Sequence, residues 1–170
     1  MKILDSNLFY PHFSKKFDYD LWKKKLQAAE MKYEEYLSNC KKDIDQELLK
    51  IYELTNHFHD YNFHKIIFHA NKIFSCKDKV DIIEMRLFSK DANIISLYLK
   101  DIISFSMHMN QLNFKEQERI GLEDIVLCEI GYEKKCSFIN LHMISGAEIS
   151  IYFKNAKFKI KSLESLPVGI

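Results

Sequence analysis

Between residues 18 and 55 apolar positions recur at helical spacing. Trp22, Leu26, Ala29, Tyr33 and Tyr36/Leu37 fall on one side of a 3.6-residue repeat, while Lys23, Lys24, Lys25, Lys32, Glu34 and Glu35 fill the other. Asp18 or Asp20 is placed to cap the orphan N–H groups of this helix, and Ser38-Asn39 is a natural stop. Asp43 is expected to cap a second helix, in which Ile44, Leu48, Ile51, Tyr52 and Thr55 share a side.

From residue 61 the period changes to two. In 80–88, Ile83, Met85 and Leu87 alternate with Ile82, Glu84 and Arg86; in 93–100, Ile95, Leu97 and Leu99 alternate with Ser96 and Tyr98. Residues 102–109 repeat the pattern, with Ile103, Phe105, Met107 and Met109 opposite Ser104, Ser106 and His108. Further strands are expected near 124–132, 136–143 and 147–153. A longer connection spans 110–121, and Ser145-Gly146 supplies a turn. A short reversal near Lys154-Asn155 then leads to Phe158 and Ile160, with Lys157, Lys159 and Lys161 opposite. One-sided strands of this kind make antiparallel sheets with one face on a core. The pattern predicts an α+β fold: two N-terminal helices packed on one face of a curved, mainly antiparallel sheet of about seven or eight strands. It reads as a single domain over 1–170, with a helical part at 18–55, the sheet at 61–161 and a loosely held tail at 162–170.

Composition narrows the function classes. Hydrophobic residues make up 47 %, with 13 Phe and 9 Tyr, which is ample for one core. The net charge of +1 supplies no global field for a nucleic acid or an anionic membrane, so neither is expected as a partner. With 4 Gly and 2 Pro there is little material for disordered linkers or Gly-lined phosphate loops. No apolar run approaches the roughly 18 residues of a membrane span, and a cytoplasmic location is expected. Cys40, Cys76, Cys128 and Cys136 are scattered without a C-x-x-C pair and read as reduced thiols.

The richest chemistry lies in 57–69, which carries His57, His59, Asp60, His64 and His69 at the change from helix to strand period. A metal reading takes His57, His59, Asp60 and His64 as nitrogen and oxygen ligands and makes the protein a metal-dependent hydrolase. The spacing matches neither H-E-x-x-H nor another established motif. An acid–base reading has Asp60 orient His59 or His64, yet Ser104 and Ser106 sit on a strand without a nucleophile elbow. In the third reading the segment is a structural junction, with His57 at a helix C-terminus and Asp60 turning the chain. That reading leaves no catalytic residue, metal or cofactor.

Alternation also places His64 beside Asn62, His108 beside Ser104 and Ser106, and His142 beside Asn140, all on the polar side of their strands. If the sheet joins those sides, His64, His108, His142, Asn62 and Asn140 form a candidate partner-binding face. Acidic residues Glu116, Glu118, Glu123, Asp124 and Glu129 offer a second surface, suited to a basic partner. The lysine ladder 157/159/161 reads as a protected edge.

Three features carry a resemblance: the helix with Tyr33-Glu34-Glu35-Tyr36-Leu37, the His59-Asp60 step into the first strand, and a closing hairpin over 148–160. Over residues 20–161 their order resembles small uncharacterised bacterial α+β proteins, including immunity proteins of polymorphic toxin systems. The resemblance implies a non-enzymatic module whose partner is another protein, and it carries no catalytic residues across. A structural or oligomeric module is the remaining alternative, and the sequence leaves the oligomeric state open.

Overall fold

The computed structural model describes residues 18–58, 61–69, 81–89, 93–108, 125–143 and 147–162. Helix α1 spans Tyr19–Cys40 and α2 spans Gln46–Leu54. Six strands follow: β1 Tyr61–His69, β2 Ile82–Ser89, β3 Asn93–His108, β4 Ile125–Glu133, β5 Cys136–Met143 and β6 Glu148–Ser162. They form one antiparallel sheet in the order β1-β2-β3-β6-β5-β4. Two three-stranded meanders are thus joined by the pairing of β3 with β6.

Among the described residues six strands stand where about seven or eight were expected, and both differences have a physical cause. Asp101, read as the gap between two strands, instead takes a left-handed φ of 54° inside one long strand. The register shifts between Ile102 and Ser104, so β3 bends there without ending, and Ile102 packs on the core in place of the expected Ile103, which is 57 % exposed. The expected reversal at Lys154-Asn155 is absent: Asn155 pairs with Lys100, and its Nδ2 donates to Asp101 Oδ2 at 2.7 Å. The closing hairpin of 148–160 is therefore one strand, bent where its neighbour bends. The expected features at 110–121 and Ser145-Gly146, together with Cys76 and the tail beyond Ser162, lie outside the described residues.

Parity builds the core. Ile83, Met85, Leu87, Ile95, Leu97, Leu99, Ile149, Ile151 and Phe153 point to the inner face and are fully buried. Against them pack Leu48, Ile51 and Tyr52 of α2, the helix whose apolar positions were most tightly grouped in sequence. The sheet curls around this helix, so that the opposite edge strands β1 and β4 bring Cα atoms within 8 Å of each other. A flat sheet of this order would hold them roughly 24 Å apart.

Asp18 caps α1 as the pattern predicts, accepting from Leu21 N–H at 3.0 Å. The cap of α2 is Asp45, not Asp43. Its Oδ1 accepts from the N–H groups of Glu47 and Leu48, both at 3.0 Å, and its Oδ2 accepts from Ala156 N–H on β6 at 3.0 Å. Its own N–H donates to Ser137 Oγ on β5 at 2.8 Å. One carboxylate thus fixes the helix start to two strands, whereas Asp43 is exposed. The chain leaves α2 through Asn56, His57 and Phe58, all at positive φ. Burial of Phe58, edge-on to Tyr52 and Tyr61, offsets that strain.

Helix α1 does not lie on the inner face; it runs along the edge strand β4. Tyr33 and Tyr36, three residues apart on one helix face, have ring centroids 6.5 Å apart. That matches the roughly 6.7 Å between alternate residues of a strand. The Tyr33 hydroxyl accepts from Ile130 N–H at 2.8 Å and donates to Ile130 C=O at 3.0 Å. Tyr36 does the same at Tyr132, at 3.1 and 3.0 Å. Tyr52 of α2 donates to Cys128 C=O at 3.1 Å. Three hydroxyls therefore take the place of a seventh strand. Burial pushes the Tyr33 hydroxyl far above the usual phenol range and Tyr36 up to about 12, so both remain protonated donors. Gly131 makes the approach possible: a Cβ there would lie 2.6 Å from the Tyr36 hydroxyl and 2.6 Å from the Phe138 ring.

Two stability outcomes follow from these contacts. Tyr33→Phe strands the buried N–H and C=O of Ile130 and is expected to cost about 1–3 kcal/mol in urea unfolding. Adding Tyr36→Phe should expose the β4 edge and produce concentration-dependent association in size-exclusion chromatography. Asp45→Ala should lower stability by about 1–2 kcal/mol through the lost cap alone. Asp43→Ala should stay within about 0.5 kcal/mol of the parent. Equal midpoints for the two aspartate variants would show that Asp45 does not organise the junction.

Candidate partner-binding face

The sheet face opposite α2 has two halves of different character. On β1, β2, β3 and the C-terminal half of β6 the register aligns cross-strand rows. One row is Lys65, Arg86, Ser96 and Lys159; the next is Ile67, Glu84, Tyr98 and Lys157. A third runs His69, Ile82, Lys100 and Asn155, and a fourth Asn62, Phe88, Ile94 and Lys161. Lys65, Lys157, Lys159 and Lys161 are exposed, and Arg86, Tyr98 and Lys100 are half-buried. The Lys159 ammonium lies over the Tyr98 ring, 5.6 Å from its centroid.

Glu84 is the one carboxylate in those rows, and it is already engaged. Arg86 Nε donates to its Oε1 at 2.6 Å, and His69 Nε2 lies 3.2 Å from its Oε2. Only 4 % of Glu84 is exposed. Burial alone would raise its carboxyl, but the hydrogen bonds and charges of Arg86 and His69 outweigh that and hold it below the ordinary range. Those rows are therefore left with a surplus of positive charge.

The other half, on β4, β5, the N-terminal half of β6 and the end of β3, carries a buried polar cluster. Glu129, Asn140 and His142 are 1, 8 and 3 % exposed. Asn140 Nδ2 donates to Glu129 Oε2 at 3.4 Å. Glu148 Oε1 approaches His142 Nδ1 at 3.3 Å, while Glu129 Oε2 approaches Nε2 at 3.7 Å. Both are ion-pair distances, but neither ring nitrogen makes an aligned hydrogen bond. Because the carboxylates face opposite ring nitrogens, they clamp the imidazole from two sides and do not converge on one point. Among the described residues no group of three or more His, Cys, Asp or Glu side chains is placed to hold a metal ion.

The histidines separate accordingly. His108 and His142 flank Glu148 across β3, β6 and β5, as their parity suggested. His142 and Asn140 are buried, so of the expected binding residues these two do not present themselves to a partner. His108 is exposed. His64 sits in the β1 bulge between Phe63 and Lys65, its ring 4.6 Å from that of Phe88, with Asn62 nearby on the cationic half. His57 is exposed and stacks on Tyr52, with centroids 4.4 Å apart and an interplanar angle of 14°. That is the helix-end position of the junction reading. His59 and Asp60 lie outside the described residues, as do Glu116, Glu118, Glu123 and Asp124. Glu129 is buried rather than on a surface. Cys40, Cys128 and Cys136 are free thiols, and burial pushes the Cys128 thiol well above its usual range.

Sequence reasoning passed over Lys65, Arg86, Tyr98 and Lys100. Their signal was available in parity, since each falls opposite a run of core-facing Ile, Leu or Met. What joins them is register, which alternation alone does not give.

No protein family and no curated protein matches this chain. Among solved structures it is similar to an uncharacterized protein from Neisseria gonorrhoeae, with a TM-score of 0.43 and 18 % identity. The match covers 60 % of this chain and 92 % of that one. A likeness of that strength carries no function across. Among the described residues no helix is long and apolar enough to cross a membrane.

Because the Glu84 carboxyl is depressed on folding, its stabilisation is present above the ordinary carboxylate range and is lost as pH falls through its lowered value. Glu84→Gln should therefore be less stable than the parent at neutral pH, with the two converging in acid. A stability difference independent of pH would show that the carboxylate charge contributes nothing.

Proposed function

We propose that this protein is a non-catalytic protein-binding module that engages its partner through the cationic half of the outer sheet face. The observation that carries the reading is the surplus of Lys65, Arg86, Lys100, Lys157, Lys159 and Lys161 over a single, already paired Glu84. Half-buried Tyr98 and Phe88 lie within the same rows and supply rigid aromatic area beside the charges. Such a surface favours an acidic partner, steers its approach and rejects basic ones. Toxin neutralisation, implied by the sequence resemblance, is the narrower form of this reading. It requires a rigid complementary surface and no catalytic group, and here the toxin would present an acidic patch.

The test is recovery of a cognate partner with the parent chain, with Lys65→Glu/Lys159→Glu at exposed positions of the face, and with Lys23→Glu/Lys24→Glu on the exposed side of α1. The face variant should bind at least about tenfold more weakly, and rising salt should weaken parent binding. The α1 variant should bind like the parent. A partner retained equally by the face variant would rule out this surface.

A further inference from the structure

Strand β6 outlasts its neighbour. Strand β5 pairs with it only from Glu148 to Phe153, while β3 pairs along its whole length to Ser162. Beyond Phe153, β6 has a strand on one side only. The Ala156 N–H points to the open side, since it donates to Asp45 Oδ2. Antiparallel alternation then turns the N–H and C=O groups of Phe158 and Ile160 to that side as well. Among the described residues no hydrogen bond reaches them there. The register from Asn155 to Ser162 is free of bulges.

The other edges differ. Tyrosine hydroxyls seal β4, and a bulge at Phe63/Lys65 interrupts β1. The end of β3 beyond Lys100, which β2 does not flank, carries Ser104, Ser106 and His108 where the β6 tail carries lysines. We propose that residues 157–161 form a strand-addition edge for an extended partner segment that alternates acidic and apolar residues. The proposal rests on the protein-binding reading and names the partner's chemistry.

Two faces of the edge specify that chemistry. On the outer side stand Lys157, Lys159 and Lys161, all exposed, at the two-residue repeat of a strand. On the inner side Ile160 is 49 % exposed, and Phe158 lies under the Lys50 ammonium at 5.7 Å. An added strand has the same period, so its acidic side chains meet the lysines while the alternate apolar ones cover Ile160. A second copy's β6 would set lysine against lysine, which disfavours self-pairing. A nucleic acid could meet the ammonium groups but has no peptide groups to complete the ladder at Phe158 and Ile160.

The probe is an end-blocked peptide of alternating glutamate and valine, titrated by fluorescence anisotropy and by amide exchange read at single residues. The alternating peptide should bind and slow exchange at Phe158 and Ile160. Lys159→Glu should weaken it at least about tenfold at unchanged folding stability. A peptide of the same composition in block order, or one N-methylated at alternate positions, should bind far more weakly. Three results overturn the proposal: no binding of the alternating peptide, equal binding of the block peptide, or binding without protection at Phe158 and Ile160. If any of these occurs while Lys65→Glu/Lys159→Glu still loses the cognate partner, strand addition fails and the wider binding reading stands.

Discussion

The pairing of β3 with β6 is the constraint on which the rest of the structure depends. It joins the β1-β2-β3 meander to the β4-β5-β6 meander, and it aligns residues 40 to 69 positions apart in sequence. Forming so long a ladder closes a large loop, whose entropic cost rises only slowly with length, while every added pair extends the buried surface. Both strands bend at one level, where Asn155 clamps Asp101, so the sheet can curl around α2 without breaking its core rows. The same pairing sets the two chemistries of the outer face. Where β5 flanks β6, Asn140 and His142 are buried and Glu148 and Ser150 half-buried; where it does not, the lysines are exposed.

An open sheet must manage its edges, and this one does so by different means at each. At β4 the solution is chemical substitution. A tyrosine hydroxyl both donates and accepts, so one side chain can satisfy the N–H and C=O of one strand residue. Two such tyrosines at helical spacing meet alternate strand residues because their rings stand apart by the strand repeat. At β1 a bulge and Lys65 interrupt the ladder. Asp45 takes the first free N–H of the β6 tail, joining the edge to the helix N-terminus that packs on it.

Much of this was legible in the sequence, and what was not has a common cause. The helical stripe, the Asp18 cap, the inner parity of β2, of β3 up to Leu99 and of β6, and the face shared by His108 and His142 all follow from local periodicity. Ile103 does not, because the bend in β3 turns Ile102 inward instead. Local signals failed where a tertiary partner decided the outcome. Asp101 and Lys154-Asn155 read as turns because Asp, Lys and Asn favour turns, yet each lies within a ladder whose other strand is remote. Asp43 and Asp45 are equivalent as caps in isolation; Ala156 and Ser137 choose between them. Tyr33 and Tyr36 read as ordinary core residues, since nothing nearby announces the strand they seal. His142 and Asn140 read as surface because they alternate with apolar residues, but every residue of β5 is buried, so alternation there marks two interiors.

Lysine on a strand edge is usually understood as a guard against unwanted pairing, and that role is not in conflict with binding. The repulsion that prevents two copies from pairing is the same field that a complementary acidic strand neutralises. Protection and recognition then differ only in the charge of the arriving segment. Recognition requires the guarded backbone to be regular, because a bulged edge cannot accept a ladder whatever its charge. It also requires that backbone to be otherwise unpaired. Among the described edges the tail of β6 meets both conditions under a run of lysines. Strand β4 is sealed, β1 is regular only beyond its bulge and bears one lysine there, and the end of β3 bears Ser104, Ser106 and His108 in their place. Charge on the outer rows therefore brings an acidic partner to the face, and the geometry of one short stretch of β6 decides how that partner is held.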